Sequence, residues 1–411
     1  MTKKEFEYFK QFTDSIECKN KIHNYALKKH IEMDQRSSLF MSPGSGKTRI
    51  GVIAAGENIK KYGGKWLVSV PKENLIKQWK DEFIKWKYKT ESNNIDFICH
   101  ASNAKVNINN YDGVIVDESH LCIGSEVHGA IFNYEYKLHN KKLLCLTGTK
   151  PDKEKLDLLL CSAPCSFELT LDEAVELKLI SEYIINVIEV QLTAKELLEY
   201  KKAQHSFVYY KSLLGNFDAF DKATQILKNS KASNFDKKNA TMFYGAIRKR
   251  KTIAQNAQSK LPIAKELIDL YPDHNIITFG ETNVSTTALH KSIGARALLF
   301  HSGLKDSQKQ EALKKFNDKR TKENVMCSTR ALSEGFNVPQ INMAIVTAFT
   351  SKANTLIQRL SRSTRYIENK QAKIFILCVP DSQEETWLKT ALKSVSHVRY
   401  FESIEAYKNL L

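Results

Sequence analysis

The sequence predicts an α/β protein made of two parallel-sheet domains in tandem, and three features support this. Short, wholly apolar runs alternate with helical segments in both halves of the chain, as they do in parallel sheets covered by helices on both faces. The length of 411 residues suits two or three domains of ordinary size. The composition, 42% hydrophobic and 26% charged, is typical of a globular protein. We therefore expect a first domain at 1–175 and a second at 176–411.

The apolar runs predict the strands of the two sheets. In the first half, after an apolar lead-in at Ser38–Phe40, the candidate strands are Trp66–Val70, Ile95–His100, Gly113–Asp117 and Leu143–Thr147. In the second half they are Ile276–Phe279, Ala297–His301, Val325–Ser328, Met343–Ala348 and Lys373–Val379. Apolar residues at helical spacing predict helices at Glu73–Trp86 and at about 282–293, 305–317, 353–363 and 383–396.

The stretch 196–262 differs from both sheets because it is polar, basic and rich in helix formers. We expect it to form a helical insertion near the start of the second domain. Its basic run Arg248–Lys251 and its aromatic residues Phe207, Tyr209 and Tyr210 fit a surface that holds a phosphate backbone and stacks on bases. They also fit an amphipathic helical bundle whose aromatic side chains form the core. The sequence leaves both interpretations open.

The charge balance points to a polyanionic partner without proving one. There are 62 lysines and arginines against 46 acidic residues, a net charge of +16. A lysine-rich chain with solvated surfaces would give the same balance. No apolar run of about 18 residues predicts a membrane span, and the N-terminal segment lacks the apolar core of a signal peptide. We expect a protein of the cytoplasm, or of the host cytoplasm if a phage encodes it, with no membrane partner.

A glycine-rich loop predicts the site for a nucleoside triphosphate. It follows the lead-in strand, it precedes a helix, and its residues are Ser42, Pro43, Gly44, Ser45, Gly46, Lys47 and Thr48. The glycines let backbone N–H groups approach phosphate oxygens, and the helix N-terminus adds the positive end of its dipole. In such a P-loop, Lys47 reaches the β- and γ-phosphates and Thr48 binds Mg²⁺. Met41 stands where the pattern has its first glycine, at the hinge into the loop.

Two acidic residues at the end of a later apolar strand complete the expected hydrolytic chemistry. Asp117 is placed to hold Mg²⁺ through water, and Glu118 to orient and deprotonate the attacking water. They lie 117 − 47 = 70 residues after the P-loop lysine, on a separate strand of the same predicted sheet. His120 follows them, and we interpret it as a group that reports the state of the nucleotide to its neighbours.

These motifs resemble those of superfamily 2 helicases, with Asp117-Glu118-Ser119-His120 as a DExH-type box. The resemblance spans roughly residues 38–366. It implies two RecA-like domains with the ATP cleft between them. It also implies that Pro71 and Lys72 touch the nucleic-acid backbone, and that Thr147, Gly148 and Thr149 couple hydrolysis to strand movement.

The second half carries the remaining motifs of the family. The resemblance implies nucleic-acid contacts at Thr278, His301, Ser302, Gly303, Ser328, Thr329 and Arg330. It places Gly335 at the nucleotide. In the last motif, Arg365 is implied as an arginine finger, Arg362 as a second contact to the γ-phosphate, and Gln358 as a contact to ATP or to the attacking water. Ser361 replaces the usual glycine of that motif.

One departure from the family concerns the base of the nucleotide. Many relatives have a glutamine upstream of the P-loop that recognises adenine, whereas the corresponding stretch here, Lys19–Lys29, has none. Phosphate binding is therefore better supported than selectivity for adenine. Tyr25 or Phe12 could stack on the base, but the sequence favours neither.

The motifs look most like those of phage and viral DNA helicases, restriction motors and remodelling translocases. This resemblance implies an ATP- and Mg²⁺-dependent DNA translocase, acting in replication, recombination or repair as a monomer with room for protein partners. Three alternatives stay open. They are an RNA helicase, the motor subunit of a restriction or defence complex, and, in another class, a scaffold that clamps DNA without hydrolysing ATP.

Overall fold

The computed structural model describes residues 1–132, 141–318, 322–329, 341–350, 371–393 and 395–411. These residues fall into two compact units. The first covers Met1–Glu182, and the second begins at Tyr183 and contains nearly all of the remaining described residues. The two units are described separately below.

The first unit is organised around a six-stranded sheet of parallel strands in the order β3-β2-β4-β5-β1-β6. The strands are β1 (Arg36–Met41), β2 (Trp66–Val70), β3 (Ile95–Cys99), β4 (Gly113–Asp117), β5 (Lys142–Thr147) and β6 (Cys165–Leu169). Because β5 lies between β1 and β4, the carboxyl ends of these three strands share one edge of the sheet. That edge carries the P-loop, the acidic pair and Thr147.

Helices cover both faces of this sheet. They are α1 (Lys3–Lys10), α2 (Ser15–Glu32), α3 (Lys47–Tyr62), α4 (Glu73–Lys85), α5 (Lys153–Ser162) and α6 (Leu171–Glu176). One apolar core packs β1 and β2 against α1 to α4, with Trp79 and Phe83 of α4 fully buried. A second core lies on the opposite face and includes Leu143 and Leu159. Burial on both faces explains why the central strands are apolar throughout.

The second unit contains a seven-stranded parallel sheet in the order β13-β7-β12-β11-β8-β10-β9. The strands are β7 (Glu182–Glu189), β8 (Ile276–Phe279), β9 (Ala297–Phe300), β10 (Val325–Ser328), β11 (Met343–Val346), β12 (Gln371–Cys378) and β13 (Val398–Phe401). Helices α7 (Ala194–Leu213), α8 (Ala219–Lys228) and α9 (Asn234–Gln255) form the insertion between β7 and the rest of the unit. The remaining helices are α10 (Lys260–Leu270), α11 (Asn283–Ile293), α12 (Asp306–Asn317), α13 (Gln383–Leu392) and α14 (Ile404–Lys408).

The structure confirms the predicted fold class, and it confirms the nine predicted strands to within two residues at each end. The predicted helical insertion is also confirmed. The sequence did not predict β6, β7 and β13. β13 is a short edge strand in which Arg399 and Tyr400 are exposed, so it lacks the apolar run of a buried strand. The predicted helix 353–363 lies outside the described residues.

Within the described residues, no helix is both long enough and apolar enough to cross a bilayer.

Candidate ATP-hydrolysis site

The P-loop begins at the carboxyl end of β1 and ends at the first turn of α3. Gly44 has φ +86° and Gly46 has φ +101°, and both values lie in the left-handed region that favours glycine. Gly46 is the residue immediately before α3. The hydroxyl and the backbone N–H of Ser45 both donate to the carbonyl oxygen of Ser42, at 2.6 and 3.3 Å. Both glycines therefore have backbone conformations that favour glycine, and the binding of phosphate by this loop stays a prediction from the sequence.

Lys47 is folded back over this loop. Its Nζ donates to the carbonyl oxygen of Met41 at 3.1 Å, and the side chain is buried. Gly148, which follows β5, lies beside it: a Cβ at position 148 would lie 2.9 Å from Lys47 Nζ and 2.9 Å from Pro43 Cγ. The absence of a side chain at Gly148 thus leaves room for the lysine. The predicted phosphate-binding and coupling motifs meet at this point.

Met41, the departure from the P-loop pattern, is the last residue of β1. Its side chain is 1% exposed and belongs to the apolar core of the unit. The carbonyl oxygen of Met41 accepts the hydrogen bond from Lys47, a role that does not depend on the side chain. A large apolar residue is therefore accommodated here by facing away from the loop.

Asp117, at the end of β4, is held by three neighbours. Trp79 Nε1 donates to Oδ2 at 3.0 Å, the backbone N–H of Glu118 donates to Oδ1 at 3.0 Å, and His100 Nε2 donates to the backbone carbonyl at 2.9 Å. Burial raises the pKa of the Asp117 carboxyl to about 6, and the Glu118 carboxylate adds to the rise. The Trp79 bond and the Lys47 ammonium oppose it. Trp79 lies on α4, far from Asp117 in the sequence, and the sequence analysis did not predict this contact.

Glu118 has a strained backbone. Its φ of +47° lies in the left-handed region, where a side chain with a Cβ is disfavoured. Such strain persists only where surrounding contacts impose it, and it is common at functional sites. The side chain lies 3.5 Å from His120 Nδ1, measured from Oε2. The strained backbone fixes the direction in which the carboxylate leaves the strand end.

His120 links the acidic motif to the coupling motif. Its Nδ1 lies 2.9 Å from Thr147 Oγ1, and that hydroxyl donates to the carbonyl oxygen of Thr149 at 2.8 Å. Because the hydroxyl hydrogen is used by Thr149, His120 must carry its proton on Nδ1 and donate it to Thr147. Burial lowers the pKa of His120, so the ring is neutral and Nε2 is a bare acceptor. Two of the predicted coupling motifs are thus joined by a directed hydrogen-bond chain.

His23 of α2 is a P-loop contact that sequence reasoning missed. Its Nε2 lies 2.7 Å from the carbonyl oxygen of Ser45, and burial lowers the pKa of the ring to about 3. A carbonyl oxygen cannot donate, so the neutral ring donates from Nε2. The ring also fills the space beside Gly46, where a Cβ would lie 2.6 Å from His23 Cε1. His23 falls inside Lys19–Lys29, the stretch that lacks the adenine-recognising glutamine of many relatives.

The donor set at this edge fits a magnesium ion bound together with a nucleotide. Thr48 supplies a half-buried hydroxyl at the start of α3, and Asp117 supplies a buried carboxylate whose pKa is raised by desolvation. Hydroxyl and carboxylate oxygens are the ligands that Mg²⁺ prefers. A cation near Asp117 would also offset the cost of burying this carboxylate beside Glu118.

The described nucleic-acid candidates of the second unit differ in exposure. Ser302 and Gly303 are exposed after β9, and His301 Nδ1 accepts from the Gly303 backbone N–H at 3.1 Å. Ser328 and Thr329 are buried at the end of β10, and Ser328 Oγ donates to the Thr329 carbonyl oxygen at 2.8 Å.

Thr278 lies inside β8 between β10 and β11, and its side chain is 1% exposed. This burial argues against a direct contact with nucleic acid and favours a packing role. In the first unit, Pro71 is half-buried and Lys72 is exposed, both immediately after β2.

The remaining predicted site residues lie outside the described residues. They are Arg330, Gly335, Gln358, Arg362 and Arg365. Their assignments stay predictions from the sequence.

Two family models match the chain. The model for the res subunit of type III restriction enzymes matches residues 4–109, and the model for the helicase conserved C-terminal domain matches residues 259–367. The two matches lie on the two parallel-sheet units in the order that the motifs predict. A search of curated proteins gave no match.

Solved structures of similar fold cover almost the whole chain. Dbp5 of S. cerevisiae, bound to RNA and ADP·BeF3, is 11% identical with a TM-score of 0.58, over 91% of this chain and 87% of Dbp5. The Hef helicase domain of Pyrococcus furiosus is 15% identical with a TM-score of 0.57, over 91% of this chain and 97% of that domain. The Type ISP restriction-modification enzyme LlaBIII, bound to DNA, is 14% identical with a TM-score of 0.58, over 94% of this chain and 31% of that enzyme.

The fold and the site together define a P-loop ATPase with two tandem RecA-like domains. The two matched family models, together with these folds, support a helicase of superfamily 2. It is a nucleic-acid-dependent ATPase of the helicase type.

Proposed function

We propose that this protein moves along DNA by coupling that movement to the hydrolysis of ATP at the P-loop. The observation that carries the proposal is the convergence of Lys47, Asp117, Glu118 and His120 at one edge of the first sheet. Lys47 and Glu118 both act on the Asp117 carboxyl electrostatically, and His120 lies between Glu118 and the coupling motif. The residues proposed for phosphate binding, hydrolysis and signalling thus lie close enough together to act on one nucleotide.

In this proposal, each residue has one task. The loop N–H groups and Lys47 bind the phosphates, and Glu118 orients the attacking water and takes its proton. Thr48 and Asp117 would hold Mg²⁺, which supplies charge neutralisation on the phosphate oxygens when it is bound. Asp117 is fixed for this task by Trp79 and by the Glu118 backbone.

The last motif supplies the remaining residues that we propose to act on ATP. Arg365 serves as the arginine finger, Arg362 as a second γ-phosphate contact, and Gln358 as a contact to ATP or water. These assignments follow from the motif that contains them, in which Arg362 and Arg365 are three residues apart in the sequence. Neutralising charge on the γ-phosphate is the step that such arginines accelerate.

DNA is the proposed track because the sequence motifs look most like those of DNA-directed motors. The match to the restriction res-subunit model, and the similarity to a restriction enzyme bound to DNA, support this choice. The similarity to Dbp5 bound to RNA keeps an RNA helicase as the second candidate. We propose that the protein works in the cytoplasm as a monomer, with backbone contacts at Pro71, Lys72 and the turn 301–303.

The test measures ATPase stimulation by single-stranded DNA, duplex DNA, forked DNA and RNA of equal length. We expect the largest stimulation with a DNA substrate. Lys47→Ala should lower the stimulated rate by about 100-fold or more, because it removes a preorganised charge at the phosphates. Glu118→Gln should lower it by about 100- to 10,000-fold, because the amide cannot accept the proton.

Matched surface variants serve as controls. Lys4→Ala and Glu7→Gln make the same chemical changes at exposed positions of α1, so both should keep the wild-type rate. Hydrolysis at the wild-type rate in both site variants would contradict the proposed site. No hydrolysis of ATP by the wild type would favour a DNA-clamping scaffold. If RNA alone stimulated the ATPase, RNA and not DNA would be the nucleic acid along which the protein moves.

A motor subunit of a restriction or defence complex is the other candidate, and the res-subunit match favours it. In that case, purified protein should translocate without cutting DNA. Cleavage should appear only when a nuclease partner is added.

A further inference from the structure

The helical insertion carries half of the net charge of the chain. Between Ala194 and Gln255 there are thirteen lysines and arginines against five acidic residues, a net charge of +8, whereas the whole chain carries +16. The insertion has only 62 of the 411 residues. It is separate in sequence from every residue of the candidate ATP site.

The cations of the insertion are not neutralised by the fold. Within the described part of the chain, none of the thirteen forms an ion pair within 4 Å. Surface lysines elsewhere do pair: Lys65 lies 2.7 Å from Asp96, and Lys408 lies 2.6 Å from Glu266. Two of the five acidic residues of the insertion, Glu196 and Asp236, cap α7 and α9. The positive charge therefore contributes little to folding and is available to a partner.

Helix α9 presents this charge along one face. Lys238, Met242, Gly245 and Lys249 are exposed and follow each other at intervals of three or four residues, so they share a face, with Arg248 beside them. The opposite face buries Phe243 against α7 and α8. From Lys238 to Thr252 this face is about 21 Å long at 1.5 Å per residue. No acidic residue occurs between Lys237 and Gln255.

Two of the aromatic side chains that the sequence singled out belong to the core of the bundle. Phe207 stacks on Phe243 with ring centroids 5.6 Å apart, and the Arg250 guanidinium lies 4.3 Å above the Phe207 ring. Tyr210 packs against the same cluster, whereas Tyr209 is 59% exposed. The core interpretation is therefore right for Phe207 and Tyr210. Arg250 belongs to the packing rather than to the free surface.

A different aromatic residue is fully exposed. Phe217 has 100% of its surface accessible, on the turn between α7 and α8. Gly215 and Asn216 reach φ +93° and +50° in that turn, and the Phe217 N–H donates to the Gly215 carbonyl oxygen at 2.6 Å. Of the 22 large hydrophobic side chains exposed among the described residues, ten lie in the insertion. Exposed apolar side chains are thus more frequent in the insertion than in the rest of the described chain.

We propose that the insertion binds single-stranded nucleic acid. Lys238, Arg248 and Lys249 contact the phosphate backbone, and Phe217 stacks on an unpaired base. Charge complementarity selects a polyanion, because the cations lack carboxylate partners. The free ring selects a single strand, because the bases of a duplex are stacked on each other and leave no face for Phe217. This inference rests on the proposed function, since it adds a second grip for the same motor.

The test uses the full-length protein and a fluorescein-labelled single-stranded oligonucleotide, with binding measured by anisotropy at several salt concentrations. Removing three phosphate contacts in Lys238→Gln/Arg248→Gln/Lys249→Gln should reduce the slope of log K against log salt by about 2, at about 0.7 per contact. A control variant, Lys4→Gln/Lys60→Gln/Lys89→Gln, removes three exposed lysines of the first unit and should keep the slope.

Phe217→Ser should weaken binding by about fivefold or more without changing the salt slope, and Phe217→Trp should restore it. A wild-type slope in the triple variant, together with wild-type affinity in Phe217→Ser, would overturn the inference and leave the surface to a protein partner. The proposed motor function fails by a different result, namely the absence of any nucleic-acid stimulation of the wild-type ATPase.

Discussion

Polar groups are buried and hydrogen-bonded at the edge of the first sheet, whereas the cations of the helical insertion in the second unit lack carboxylate partners among the described residues. At the sheet edge, Lys47, Asp117 and His120 are buried and bonded to neighbouring protein groups. In the insertion, thirteen cations have no carboxylate partner among the described residues, and Phe217 is fully exposed. Chemistry at a phosphate needs groups that are already in position. Binding to the uniformly charged phosphate backbone of a nucleic acid needs cations that are not already paired with carboxylates of the protein.

The largest effect is expected where the P-loop and His23 touch. Gly46→Ala forces a Cβ into the left-handed region, at about 1–2 kcal/mol, and against the His23 ring, only 2.6 Å away. We expect ATP binding to weaken by at least 10-fold and the unfolding temperature to fall. Isothermal titration and thermal unfolding measure the two effects.

Gly63→Ala is the matched control for this prediction. Its φ of +72° also favours glycine, although its ψ of −152° differs from the 30° of Gly46, and no atom lies within 4 Å of the added Cβ. Gly63→Ala thus tests a backbone cost without a side-chain clash. Equal effects would show that the P-loop does not depend on this packing.

The bond between Trp79 and Asp117 should have the next largest effect. Trp79→Phe leaves Asp117 Oδ2 buried without its donor, at a cost of about 1–3 kcal/mol. We expect kcat/KM for ATP hydrolysis to fall by about 5- to 150-fold, with a higher Mg²⁺ concentration needed for half-maximal rate.

Trp66→Phe controls for the loss of volume at Trp79. Trp66 is as deeply buried, and its Nε1 has no hydrogen-bond partner among the described residues. This variant should lose stability but keep its Mg²⁺ dependence. The same kinetic loss in both variants would mean that packing, and not the bond to Asp117, is responsible.

Mutations at the hydrogen bond between His120 and Thr147 should have a smaller effect on ATPase activity, and their effects should not be additive. His120→Ala and Thr147→Val each remove one end of the 2.9 Å bond. In a double-mutant cycle on nucleic-acid-stimulated ATPase we expect a coupling energy of about 0.5–3 kcal/mol. Additive losses would show that the two groups act independently.

The smallest expected effect concerns acid stability. Burial lowers the pKa of His30 to about 4, so the folded state holds this ring neutral while the unfolded chain binds a proton near its ordinary value of 6.5. The stabilisation is complete above pH 6.5 and is lost as the pH falls toward 4. Between pH 7 and 5.5 we expect a loss of about 1 kcal/mol that is absent in His30→Gln.

The exposed His205 of the insertion provides the contrast for this pH measurement. His205→Gln should keep the wild-type pH dependence of unfolding. A steeper acid loss in His30→Gln than in the wild type would contradict the assignment.

The features predicted correctly from the sequence are those that depend on short, local sequence patterns. The P-loop glycines, the acidic pair and the apolar strands each occupy a short stretch of sequence. The structure confirms the strands and has Asp117 at the end of one of them. What it missed depends on pairs distant in sequence. Asp117 meets Trp79 and His100, and Ser45 meets His23, because the fold brings together residues from different helices and strands. No spacing rule could have found these partners.

The helical insertion also shows which features could be predicted from the sequence and which could not. Its composition predicted helices and a basic surface, and both are present. Which aromatic residues are buried could not be read from the sequence. Phe207 lies in α7 and stacks on Phe243 of α9, whereas Phe217 lies on the turn after α7 and is fully exposed.

The left-handed backbone of Glu118 has a consequence for how this position can change. Glycine or asparagine would adopt φ +47° at lower cost, so either substitution should make the folded chain more stable. Both would remove the carboxylate that the proposed hydrolysis requires. Selection for thermal resistance alone would therefore drive position 118 away from glutamate and produce a sturdier protein that no longer turns over ATP.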